Sequence, residues 1–170
     1  MSTDKQSRAR VTMTGPLERI RSYFAEFQGS VEACRSADDA SGPERLKNAY
    51  GALHRLRDRY LREKAKQRLS PAQQAPLEKV FEKDKFIESM MLVRQVSEHV
   101  VAREPIQLWT PDNVPIGLIE ASAGEMFAAR TFIVPRTEGE PRRIDHLQWL
   151  EVAKRRINKA LDKAMAARTR

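Results

Sequence analysis

The chain has 170 residues, of which 41% are hydrophobic and 32% are charged, and its length suits a single domain. A formal net charge of +8 at pH 7 raises the expectation of a polyanionic partner. The single cysteine, Cys34, excludes an intrachain disulfide, and no apolar run approaches the about 20 residues that a membrane span needs.

Residues 1–14 are predicted to form a flexible basic arm, because they hold three Lys or Arg, one acid and few apolar side chains. They lack the apolar region of a secretory signal, and a lone cysteine fits a reducing compartment. We therefore expect a cytoplasmic protein that has no membrane partner. Residues 15–170 are expected to form a single helical domain.

The first two helices are predicted from apolar residues that recur at alternating steps of three and four. The first should run from Pro16 to Ala37. The second should begin at Ser41, where Glu44 completes a capping-box pattern. Two apolar stripes joined by a short loop predict an antiparallel hairpin. The heptad spacing of the first helix also permits dimerisation, but the matching stripe of the second favours internal packing.

A third long helix is predicted from Pro71 to Ala102, with Ser70 as its N-cap and Gln73 as the partner of Ser70 in a capping box. Strand-forming residues follow, and we expect a β-meander of two or three strands at about 106–134, including a strand over 125–134. Residues 137–143 should form a polar loop. A sheet of this size needs a helix to cover one face.

The last helix has a clear start signal, with Asp145 as its N-cap and Ile144 and Trp149 at the positions of a hydrophobic staple. The sequence therefore predicts a mainly α (α+β) fold. It should be a helical bundle of three long helices with a small two- or three-stranded antiparallel sheet and a C-terminal helix.

The second helix has a strong excess of positive charge, because residues 43–69 hold nine Lys or Arg and three Asp or Glu. Four of these cations follow one another at steps of four, three and four, which places them on one side of the helix. They are Arg55, Arg59, Arg62 and Lys66. Such a row suits contact with a phosphate backbone. The other interpretation is a solvated face, in which Asp58 pairs with Arg62 and Arg59 with Glu63.

The last helix repeats this charge pattern more weakly, with seven basic and three acidic residues between positions 144 and 170. Its outer side is predicted to present four cations, of which the first three are candidate backbone contacts. They are Arg155, Arg156, Lys159 and Lys163. Aromatic residues make up 6% of the chain, and Trp109 and Phe132 are expected in the core. Binding should therefore depend on the nucleic-acid backbone and on duplex shape rather than on stacking with bases.

No catalytic constellation is visible in the sequence. The three histidines, His54, His99 and His146, are scattered, and a single cysteine excludes a thiolate zinc site. Cys34 lies on the apolar stripe of the first helix, which predicts a small core residue. His146 follows a helix N-cap, where a neutral surface role is expected. We therefore predict a protein that is not an enzyme and has neither a cofactor nor a metal site.

Two functions are consistent with this sequence. The favoured one is a non-enzymatic nucleic-acid-associated accessory protein, for instance a small subunit of a larger assembly, which binds DNA or RNA backbone through basic helix faces. The alternative is a protein-interaction adaptor, or an assembly or chaperone module, which binds a protein partner or a second copy through the helical hairpin or a sheet edge.

Overall fold

A computed structural model describes residues 15–38, 41–98, 106–119, 126–134 and 139–167. The predicted arm at 1–14 and the predicted end of the third helix at Ala102 lie outside these ranges. The predicted mainly helical α+β fold is confirmed. The helices are α1 (Pro16–Arg35), α2 (Gly42–Ala65), α3 (Pro71–Phe81), α4 (Lys85–Glu98) and α5 (His146–Ala166). The strands are β1 (Ile106–Trp109), β2 (Pro115–Ile119), β3 (Thr131–Val134) and β4 (Arg142–Asp145).

The predicted hairpin of α1 and α2 is confirmed, with the two helices antiparallel. Arg19 near the start of α1 meets Glu63 near the end of α2, whereas Arg45 near the start of α2 bonds the carbonyl of Ala33. The apolar stripe of α1 is buried inside the monomer. Its buried members are Leu17, Ile20, Phe24, Phe27 and Val31. Cys34 is half-buried and packs against the same core.

Four helices close into a bundle around this core, because α1 packs against α2 and α5, and α3 packs against the same two helices. Between α1 and α5, the Nε atom of Arg35 donates to Glu151 at 2.7 Å. Between α2 and α3, the Nζ atom of Lys64 donates at 2.7 Å to Glu82, which follows α3. The seam between α1 and α2 therefore lies across the bundle from the seam between α3 and α5.

The predicted third helix is two helices, which corrects the expectation of one continuous segment. The chain leaves the helical path after Phe81 and begins α4 at Lys85. The carboxylate of Asp84 accepts hydrogen bonds from the backbone N–H groups of Phe86 and Ile87, at 3.0 and 3.3 Å. Asp84 is thus the N-cap of α4. Aspartate is favoured at N-cap positions over helix interiors, which explains why the helix is interrupted here.

Two of the three predicted N-caps are confirmed. The hydroxyl of Ser70 accepts from the backbone of Gln73 at 3.3 Å, and Asp145 accepts from the backbone of Leu147 at 2.9 Å. The predicted capping box at Ser41 is wrong, because the hydroxyl of Ser41 instead donates to Asp38 at 2.6 Å. Helix α2 begins there without a side-chain cap.

The strands form two antiparallel pairs, β1 with β2 and β3 with β4, where one meander was expected. Residues 126–130 are not extended. Of the strand predicted over 125–134, the described residues therefore keep only β3. The predicted loop at 137–143 overlaps β4. Ile144 of β4 lies opposite Phe132 of β3 and both are buried, which explains why this polar segment forms a strand.

His146 is fully buried, which corrects the expected surface role. Its Nε2 atom lies 2.6 Å from the carbonyl oxygen of Met126, and its Nδ1 atom lies 2.8 Å from the hydroxyl of Tyr50. A carbonyl only accepts, so Nε2 holds the ring proton and Nδ1 accepts from Tyr50. Phe127 stacks on the imidazole at a ring-centre distance of 5.2 Å. The neutral ring therefore joins α2, α5 and the segment before β3.

Candidate nucleic-acid interface

Two hollows lie along the seam between α1 and α2, and Arg55 lines both of them. We call the two together the α1–α2 groove. The smaller hollow has a volume of about 160 Å³ and is lined by Tyr23, Arg55, Asp58, Arg59 and Arg62. The larger has a volume of about 420 Å³, and its polar lining includes Glu26, Ser30, Arg45, Asn48 and Arg55. The lining of the groove thus includes four arginines of α2 and two acids, Glu26 and Asp58.

Three of the four predicted contacts on α2 are exposed cations. Arg55, Arg62 and Lys66 make no ion pair with any residue that the structure describes. The expected pair between Asp58 and Arg62 does not form, because Asp58 lies 3.2 Å from the Nδ1 atom of His54. The three cations repeat at steps of seven and four, so they form one row along α2. Arg55 and Arg62 line the groove, and Lys66 is the C-cap residue that follows the helix.

Arg59, the fourth predicted contact, is part of the groove wall. Its Nη2 atom donates to the hydroxyl of Tyr23 at 3.1 Å, and its guanidinium lies over the Tyr23 ring at 4.9 Å. Its Nη1 atom lies 3.6 Å from Glu63, the pair that the solvated-face interpretation of the sequence included. Within the described ranges its buried Nε atom has no hydrogen-bond partner. Arg59 is therefore held in place and is less available to a ligand than Arg55.

A buried carboxylate organises the end of the groove, a feature that the sequence analysis missed. Glu63 is 1% exposed and accepts two hydrogen bonds from Arg19, at 2.8 and 3.1 Å. Arg59 and Arg68 each approach its carboxylate to 3.6 Å. The hydrogen bonds from Arg19 hold the pKa of Glu63 below its ordinary value. Three guanidinium groups surround one carboxylate, so this end of the groove keeps a surplus of positive charge.

Arg156, which was predicted as a backbone contact on the last helix, is engaged inside the protein. Its Nη1 atom donates to both carboxylate oxygens of Asp84, at 3.0 and 2.8 Å, and its Nη2 atom donates to the carbonyl of Pro111. Its guanidinium lies over the ring of Phe86 at 5.0 Å. Arg156 thus ties α5 to the start of α4 and to the turn between β1 and β2, and we omit it from the interface.

The other two predicted contacts on α5, Arg155 and Lys159, are exposed. Lys159 lines a hollow between α3 and α5, on the opposite side of the bundle from the α1–α2 groove. The two basic helices therefore do not share one groove. The structure instead adds two residues that are not in the predicted row. They are Tyr23, which carries no charge, and Arg45, which the charge count of the second helix includes.

The chemistry of the groove suits phosphate groups better than bases. All eleven aromatic residues lie in described ranges and none is exposed, although Tyr23 and Trp109 are half-buried. Stacking on bases needs exposed rings, whereas guanidinium groups bind phosphate oxygens through charge-assisted hydrogen bonds.

Burial raises the pKa of the Cys34 thiol to about 11, so this thiol stays protonated near neutral pH.

No known protein-family model matches the chain, and comparisons with curated proteins and with solved structures find no significant match. Within the described ranges, no helix combines the length and the apolar character that a membrane crossing requires. In the same ranges, no three His, Cys, Asp or Glu side chains are grouped so that they could hold a metal ion.

Proposed function

We propose that the chain is a non-enzymatic, cytoplasmic nucleic-acid-associated protein that binds the phosphate backbone of a DNA or RNA duplex along the α1–α2 groove. The observation on which the proposal rests is the row of Arg55, Arg62 and Lys66, which are exposed and make no ion pair with a described residue. An accessory subunit of a larger assembly is the role that fits a backbone-binding surface on a small chain.

The spacing of the row supports this proposal. Arg55 and Arg62 are seven residues apart on one helix, which corresponds to about 10 Å along its axis. A strand of B-DNA presents a phosphate about every 3.4 Å of axial rise. Two cations on α2 can therefore each contact a phosphate group of the same strand, and Lys66 adds a third contact about 6 Å further along.

The wall of the groove supplies further positive charge. The guanidinium groups around Glu63 outnumber its single carboxylate by two, and Arg45 lines the opposite end of the groove. Because counterions are released when phosphates are neutralised, binding through such a surface is strongly salt-dependent. We also expect it to be largely independent of base sequence, since no aromatic ring in the described ranges is exposed for stacking on bases.

Salt-titrated mobility shifts with duplex DNA and duplex RNA test the proposal, starting from protein that has been freed of bound nucleic acid. We expect binding at low salt, with similar affinity for unrelated sequences. The logarithm of the association constant should fall linearly with the logarithm of the salt concentration, with a slope near −3 if about three phosphates are contacted. Failure to shift either duplex at low salt would remove the proposal.

The substitution Glu63→Gln should lower the stability of the protein and raise its affinity for duplex. We expect the free energy of unfolding to fall by about 2 kcal/mol, because Arg19 loses a charged acceptor that is buried. We also expect affinity for duplex to rise several-fold, because one negative charge leaves the end of the groove. Urea denaturation and fluorescence anisotropy give the two values. Glu32→Gln on the exposed side of α1 is the control, since it removes the same charge without touching the groove. Weaker binding by the Glu63 variant would contradict this part of the account.

The alternative, a protein-interaction adaptor, stays a prediction. The apolar stripes of the α1–α2 hairpin are buried in the monomer and do not offer a docking face. The large apolar side chains that are exposed in the described ranges, Val114, Ile133 and Met165, lie singly on different elements. Single exposed apolar residues are ordinary on a protein surface.

A further inference from the structure

A second positively charged hollow lies between α3 and α5, with a volume of about 250 Å³. Its rim carries three lysines, Lys79 from α3 and Lys159 and Lys163 from α5. Part of its lining is apolar, formed by Pro76, Val80 and Ala160. The hollow is on the opposite side of the bundle from the α1–α2 groove, so it is a separate site.

The three lysines are exposed and make no ion pair with residues in the described part of the chain. The acids that adjoin them in sequence pair elsewhere. Glu78, next to Lys79, binds Lys83 at 2.7 Å, and Asp162, next to Lys163, lies 3.7 Å from Arg21.

Asp84, the acid among the described residues that line the hollow, does not neutralise these lysines. Asp84 binds Arg156 through both carboxylate oxygens, so the two form a locally neutral pair at the edge of the hollow. Lys159 and Lys163 also stand four residues apart on one helix, an arrangement in which like charges repel. An anion bound between the lysines removes this repulsion and replaces it with attraction.

We infer that the α3–α5 hollow binds a small phosphorylated molecule, whose phosphate groups lie among Lys79, Lys159 and Lys163. Lysine ammonium groups are effective phosphate binders because each is a compact charge with three donors. Ordinary ligand pockets have volumes of about 300–1,000 Å³, and the volume of this hollow lies just below that range. The small volume favours a ligand with one or two phosphates. The apolar lining gives the rest of the ligand a surface on which to pack, so a phosphorylated metabolite fits better than a free inorganic ion.

Isothermal titration calorimetry with ADP, inorganic pyrophosphate and adenosine tests this inference on the full chain. We expect saturable one-to-one binding of ADP, weaker binding of pyrophosphate and none of adenosine. The variant Lys159→Gln/Lys163→Gln should weaken ADP binding by about tenfold or more. The variant Arg55→Gln/Arg62→Gln removes the same charge from the α1–α2 groove and should leave ADP binding unchanged.

Absence of saturable binding by ADP and by pyrophosphate at low salt would overturn the inference, as would equal weakening by both variants. The outcome is separable from that of the proposed function. The Lys159→Gln/Lys163→Gln variant should keep its affinity for duplex, because its changes lie outside the groove. Loss of duplex binding in that variant would mean that nucleic acid occupies the hollow, which would also overturn the inference. Circular dichroism of each variant checks that it is folded.

Discussion

Reversing the charge of two groove residues, Arg55→Glu and Arg62→Glu, is expected to lower the affinity for duplex DNA or RNA by about a hundredfold near 0.1 M salt. At that concentration each phosphate contact contributes about a tenfold factor through counterion release, and two contacts are lost. Both side chains are exposed and unpaired in the described structure, so the change should leave the fold intact. Fluorescence anisotropy with a labelled duplex measures the effect.

The matched control is Arg142→Glu/Arg155→Glu, which changes the net charge by the same amount at two exposed positions outside the groove. If only overall charge mattered, both variants would lose affinity equally. A local interface predicts a loss of about threefold or less in the control, because salt at this ionic strength screens charges that lie far from the bound duplex. A large loss in the control would instead restore the sequence-based expectation that α5 contributes through Arg155.

The protein should lose about 3 kcal/mol of stability between about pH 7 and about pH 4 because of His146 alone. Burial lowers the pKa of this imidazole from 6.5 to about 4, so the folded state holds it neutral. The unfolded chain takes up a proton as the pH falls below about 6.5, and the folded state does so only near pH 4. The contribution of His146 to stability is therefore fully present above about pH 6.5 and is lost as the pH falls towards 4. Each unit of difference between the two pKa values corresponds to about 1.4 kcal/mol.

Urea denaturation across this pH range measures the loss, and two variants isolate its source. His146→Gln keeps an acceptor for the hydroxyl of Tyr50 and a donor for the carbonyl of Met126 but does not titrate, so its stability should vary much less with pH. His54→Gln changes a different histidine, which is partly buried on α2, and keeps His146, so the loss of stability across this range should persist. Identical pH profiles for the parent and the His146 variant would contradict the account.

The sequence predicted the parts of the fold that depend on local chemistry. Helices α1, α2 and α5 follow from apolar periodicity, and the caps at Ser70 and Asp145 from residue type. The sequence did not predict the break before α4, because Asp84 looks like any exposed acid until its carboxylate meets the N–H groups of a new helix. It also missed β4, whose strand character comes from the pairing of Ile144 with Phe132.

The site was predictable only in part, for a similar reason. Spacing on α2 placed Arg55, Arg62 and Lys66 in one row, because that relation is local to a helix. The engagement of Arg156 by Asp84, 72 positions away in sequence, depends on how α5 packs against α4. The burial of Glu63 likewise depends on Arg19 of α1. Charge counts cannot distinguish cations that face solvent from those that a distant acid has already bound.

The most direct test of the account is to map the contact surface by NMR, following backbone amide shifts of labelled protein as a short duplex is added. We expect the largest changes along the α1–α2 groove, at Tyr23, Arg45, Arg55 and Arg62, with little change around Lys159 and Lys163 on the opposite side of the bundle. Changes centred on α5, or no change at a salt concentration low enough for electrostatic binding, would contradict a phosphate-binding groove between α1 and α2.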